Sequence, residues 1–109
     1  MADPLTSRAW VAAWLQKATH DLEIAQRALH AGHPITDTAA HHCHQAAENA
    51  LRAFLASHAR PLLKSHDPMD LLTQCASADS RFGAWADQVA ELAAFGTATR
   101  YPSIDADPT

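Results

Sequence analysis

Apolar residues recur every three or four positions over long stretches of this chain, and that spacing requires helices, each presenting an apolar stripe to a neighbour. Trp10, Trp14, Ala18, Leu22, Ala25 and Leu29 form the first stripe. Its helix is expected to start near Thr6 or Ser7, either of which can cap it, and to stop at about His30, ahead of Gly32 and Pro34. A second helix should run from Thr36 or Asp37 to about His58, with Pro61 preventing extension. Ala40, Cys43, Ala47, Leu51 and Phe54 make its apolar face, while His41, His44, Gln45, Glu48 and Arg52 gather on another side. Asp67 followed by Pro68 is a strong helix start, because the carboxylate accepts backbone N–H bonds and proline suits the first helical position. The third helix should reach about Ala76. After a polar turn from Ser77 to Ser80, a fourth helix carries Phe82, Trp85, Val89, Leu92 and Phe95 and is expected to end at Gly96.

The pattern predicts an all-α, up-and-down four-helix bundle with a short C-terminal tail. Residues 1–7 are expected to form an N-terminal segment, 8–103 the bundle and 104–109 a flexible tail. With 109 residues the chain can bury one core. The β-branched residues are scattered and glycine is scarce, which favours helix over sheet. No apolar run approaches the roughly 20 residues of a membrane span. The start of the chain also lacks a basic region followed by an apolar block, so a cytoplasmic protein is expected. Cys43 and Cys75 fall on apolar helix faces without metal-type spacing and read as reduced, buried thiols. A formal charge of −4 and the absence of any lysine or arginine block exclude strong non-specific nucleic-acid binding, yet leave room for a local basic site assembled by folding.

Several residues, taken in order, are similar to a known family. They are Trp10, then Ala18-Thr19-His20-Asp21-Leu22 and Ala25; Cys43-His44-Gln45-Ala46-Ala47-Glu48-Asn49-Ala50-Leu51-Arg52-Ala53-Phe54-Leu55; Ser65-His66-Asp67 ahead of Leu71-Leu72; and Thr99-Arg100-Tyr101-Pro102. In that order they resemble a HEPN domain over about residues 8–103. The resemblance implies a helical bundle that commonly forms homodimers, and a prokaryotic origin. It also implies a stand-alone protein of the type often paired with a minimal nucleotidyltransferase and thought to bind a nucleotide. Other branches are metal-independent RNases, frequently the toxins of toxin–antitoxin systems. The chain is therefore expected to be a binding module for a nucleotide-like ligand or a nucleotidyltransferase partner, and not an enzyme on its own. A metal-independent endoribonuclease toxin acting on RNA is one alternative, and a purely structural dimerisation module is another.

The RNase branches use an arginine followed after four to six residues by a histidine. Arg60 and His66 have that spacing here, with the imidazole as acid or base and the guanidinium stabilising charge on phosphorus. The match is formal, since Pro61 follows the arginine and His66 can equally cap or pack beside Asp67. After Arg100 the corresponding positions hold Asp105, Ala106 and Asp107 instead of histidine. For ligand binding the candidates are Gln45, Glu48 and Arg52 on one face of the second helix, with His20 and Asp21 opposite and Arg100 and Tyr101 folding back. The arginines would grip phosphate and the tyrosine would stack on a base. The same residues also fit a structural network in which Glu48 pairs with Arg52 or Arg100. No metal or cofactor is expected: His41, His42, Cys43 and His44 are consecutive on a helix and cannot converge. Trp14, Phe82 and Trp85 sit at helical spacing among aliphatic residues and are expected in the core.

Overall fold

The computed structural model describes residues 8–58, 60 and 64–100, with residues 95–100 described by backbone alone. The chain is all-α. Helix α1 spans Arg8–Leu29, α2 Thr36–Ser57, α3 Pro68–Ala78 and α4 Ala86–Arg100, with a 3-10 helix at Ser80–Trp85 leading into α4. The expected caps at Thr6 and Ser7, and the segments 1–7 and 104–109, lie outside the described residues.

Helix α2 is the spine. Among the described elements α1 packs on α2 alone, while α3 and α4 pack on α2 and on each other. Two apolar clusters result. Leu51, Leu55, Leu71, Leu72 and Cys75 form the larger, flanked by Phe54, Met69, Phe82, Ala86 and Val89. Ala25, Ala28 and Ala39 form the smaller, with Cys43 packed against it. Both cysteines are free thiols. Burial pushes Cys75 up to about 11, so it stays protonated, and its Sγ–H donates to the Leu51 carbonyl at 3.5 Å. Cys43 is only half-buried, a departure from the expectation that both would be enclosed.

The α1 stripe differs from the sequence expectation. Ala18, Ala25 and Ala28 are buried, whereas Leu22 is 50% exposed and Trp10 and Leu29 are likewise exposed. With a single helix to pack on, α1 encloses only a narrow line of side chains, and alanines let the α2 backbone approach. The large residues are left on the flanks. On α2 the reverse holds: His44, Glu48 and Arg52, expected on a polar side, are buried because neighbours cover α2 on several faces.

The start of α3 follows the expected chemistry. Asp67 accepts from the Met69 N–H at 3.0 Å, with Pro68 as the first helical residue. The fourth helix starts later and ends later than expected. Asp79 accepts from the Arg81 N–H at 3.0 Å and caps the 3-10 helix. The Arg81 side chain, and then its backbone N–H, hold the Asp79 carboxyl down at about 2. The helix then runs through Gly96 to Arg100, since one glycine weakens a helix by about 1 kcal/mol relative to alanine without terminating it. Trp85, expected in the core, is 59% exposed; Phe82 is partly buried against the larger cluster. The side chain of Phe95 lies outside the described residues.

Candidate functional site

A cleft of about 910 Å³ opens where α1 lies along α2 and the segment before α3 crosses their ends. From α1 come Trp14, Lys17, His20 and Asp21, placed on one flank by three- and four-residue spacing. From α2 come His41, His42 and Gln45, then Glu48, Asn49 and Arg52, again at helical spacing. Lys64 and His66 close the end.

Two carboxylates organise the walls. Asp21 accepts from His42 Nδ1 at 2.9 Å through one oxygen and from Asn49 Nδ2 at 3.0 Å through the other. These bonds tie α1 to α2 and fix the His42 ring. Glu48 is 2% exposed. Its Oε2 lies 3.3 Å from His66 Nδ1 and 3.9 Å from Arg52 Nη2, and its Oε1 lies 3.6 Å from His44 Nε2. The His66 side chain is 74% exposed, so a solvent-accessible imidazole is anchored on an enclosed carboxylate. Arg52 also donates to the Ser65 carbonyl at 2.7 Å, which fastens the segment before α3 to α2. Its guanidinium stands 5.7 Å from the centre of the Trp14 ring, in cation–π range. Trp14 is half-buried in the cleft wall, a correction to its expected place in the core, and its Nε1 has no hydrogen-bond partner among the described residues.

The electrostatics of the cleft oppose those of the chain. Overall the formal charge is −4, yet Lys17, Arg52 and Lys64 face the cleft against only Asp21 and Glu48. Both carboxylates are already engaged by their neighbours. Four imidazoles, His20, His41, His42 and His66, add donors or further charge. Such a site suits an anion with several acceptor oxygens.

Of the ligand-binding candidates, Gln45, Glu48 and Arg52 come together here, opposite His20 and Asp21 as expected. Arg100 ends α4, but its side chain and Tyr101 lie outside the described residues. His66 joins the cleft, whereas Arg60 is not among its lining residues. Arg60 is half-buried, with its N–H donating to the Leu55 carbonyl at 2.9 Å. Among the described residues no group of three or more His, Cys, Asp or Glu side chains is arranged to hold a metal ion. Sequence reasoning missed Lys17, His42, Asn49 and Lys64. For His42 and Asn49 the available signal was their place on the same helical stripe as Gln45, Glu48 and Arg52.

The family model for the HEPN domain matches residues 11–109, which covers the cleft, all but the first three residues of α1, and the other three helices. The chain belongs to the HEPN family. No curated protein and no solved structure gives a match. The HEPN helices thus carry the cleft on their first helical pair, with α3 and α4 packed on α2 as well. No described helix of this HEPN domain is long and apolar enough to cross a membrane.

Proposed function

We propose that this HEPN domain is a binding module whose α1–α2 cleft takes a nucleotide-like ligand through its phosphate. One observation carries the reading: three fixed cations and four imidazoles converge on one cleft of a chain with net negative charge. Lys17, Lys64 and Arg52 attract the phosphate, and the Trp14 ring offers an apolar wall for the base. Gln45 and Asn49 supply amide groups able to read polar edges. Arg100 as a further phosphate donor and Tyr101 as a stacking surface belong to the same proposal.

A partner protein also fits. Leu15, Leu22 and Leu29 recur at seven-residue spacing on α1 and are exposed, giving an apolar line suited to a second copy of the chain or to a nucleotidyltransferase. The family resemblance supports both, and with them a toxin–antitoxin-like setting; a cytoplasmic location belongs to the same reading.

Titration calorimetry with AMP tests the cleft. Binding is expected, weakened roughly five- to tenfold by the paired change Lys17→Ala with Lys64→Ala, two exposed lysines whose loss leaves the core intact. Arg100→Ala tests the end of α4 in the same way. Unchanged affinity in the double variant would sink the site assignment. Light scattering on the same samples reports the dimer, and a monomer at every micromolar concentration would count against it.

A second reading has a specific observation behind it. An exposed His66 anchored by buried Glu48 is the arrangement of a positioned acid or base, so RNA cleavage without metal is the competing activity. Arg52 shares the Glu48 carboxylate with His66, and Arg60 remains the guanidinium that the spacing pairs with it. Cleavage of RNA in excess chelator, abolished by His66→Ala and reduced by Arg60→Ala, would replace the binding reading with the endoribonuclease assigned to Arg60 and His66.

A further inference from the structure

Asp21 and Glu48 each face Nδ1 of an imidazole in the cleft, His42 at 2.9 Å and His66 at 3.3 Å. A carboxylate oxygen can only accept, so in both rings the hydrogen belongs on Nδ1. A neutral ring held this way presents a lone pair at Nε2. Phosphate oxygens are acceptors as well, and a lone pair facing them repels. Either ring therefore engages a phosphate through Nε2 only when it carries a second proton.

Resting on the reading of the cleft as a nucleotide site, we propose that His42 and His66 are phosphate-binding residues. They take the terminal phosphate dianion of a nucleoside monophosphate as imidazolium ions, so the cleft gains protons as it gains ligand. Asp21 and Glu48 are positioning residues, each aiming one ring.

The surrounding charges give the coupling its direction. His42 is faced by Asp21, Lys17 and His20 of α1 and by its neighbour His41 on α2, whose ring lies 5.2 Å away edge-on. His66 is faced by Glu48, Arg52 and His44 of α2, and it shares the segment before α3 with Lys64 and Asp67. Where the adjoining cavity of about 680 Å³ meets α4, it meets Ala90, Ala93 and Ala94, which carry no charge. Before ligand binds, Lys17, Lys64 and Arg52 oppose a second proton on these rings, against the pull of Asp21 and Glu48. A phosphate dianion cancels that opposition and rewards protonation at the two rings. Proton uptake on binding means that affinity falls as pH rises through the range in which histidine gives up its proton.

The experiment is titration of the whole chain with AMP at pH 7.5, in buffers of different ionisation enthalpy. Inorganic phosphate is run in parallel, and Kd is measured again across pH 7 to 8. The slope of heat against buffer enthalpy counts protons. We expect uptake approaching one proton or more per AMP, and roughly five- to tenfold weaker binding at pH 8 than at pH 7. His66→Gln should lower the uptake without unfolding the chain, since this side chain is 74% exposed, and adding His42→Gln should abolish it. The same uptake with inorganic phosphate assigns the effect to the phosphate group. Phosphate binding without uptake, uptake that persists in the double variant, or AMP binding independent of buffer overturns the proton coupling and leaves the cleft reading standing. Failure of both AMP and phosphate to bind, even at pH 6.5, overturns both.

Discussion

Glu48→Ala is expected to destabilise the fold by about 3–5 kcal/mol, the range seen when one member of a buried charge pair is removed. The carboxylate is almost wholly enclosed and is shared by His44, Arg52 and His66. Its removal takes a carboxylate oxygen 3.9 Å away from the Arg52 side chain, which is 9% exposed. Arg52 keeps its bond to the Ser65 carbonyl, which limits the loss. Glu48→Gln preserves shape and one acceptor and should cost less than the alanine change. Denaturant melts on the two variants check this ordering. In a domain of this size each kcal/mol corresponds to about 4–8 °C in Tm. A Glu48→Ala protein as stable as the parent would show that the cluster contributes nothing to holding α2 and the segment before α3 together.

Leu71→Ala is expected to cost about 2–5 kcal/mol, as for other fully buried leucines whose removal opens a cavity. Leu71 has no solvent exposure and sits in the larger cluster beside Leu51 and Leu55 of α2. Because α2 also carries α1, the loss should appear as one cooperative transition at lower denaturant, and not as melting of α3 alone. Leu22→Ala is the informative contrast. Leu22 belongs to the apolar stripe read from the sequence but is half-exposed, so its truncation should stay within about 1 kcal/mol. Equal effects from the two changes would mean that α1 buries Leu22 against something other than α2, as a second subunit would.

That contrast also shows where sequence reasoning ends. The spacing on α1 identified a helix with an apolar side, and α1 is that helix. Periodicity alone does not separate the centre of such a side from its flanks. The choice of Ala18, Ala25 and Ala28 over Leu22 and Leu29 depends on how closely α2 approaches. Local chemistry was more legible: Asp67 and Pro68 announce α3, and the bond from Met69 N–H confirms the cap. Asp79 as the cap of a 3-10 helix was missed because that role depends on the turn after Cys75, not on any strong sequence pair. At the site, Gln45, Glu48 and Arg52 were legible because one helix places them in line. His42 gains its role only from Asp21, which is distant in sequence, and Lys64 only from where the segment before α3 comes to rest. Tertiary placement, absent from local spacing, decided both. The family, by contrast, was legible from the ordered motifs across all four helices, and the match over residues 11–109 agrees.

The most direct test of the cleft is a nitrogen–proton correlation spectrum of the labelled chain titrated with AMP. Saturable shifts are expected at the Trp14 indole N–H, at the backbone of Lys17, Asp21, His42 and Asn49, and at Arg52 and His66, with the apolar surface around Leu72, Phe82 and Trp85 unmoved. A spectrum unchanged at millimolar AMP, or shifts gathered around Trp85 and Val89 instead, would contradict it.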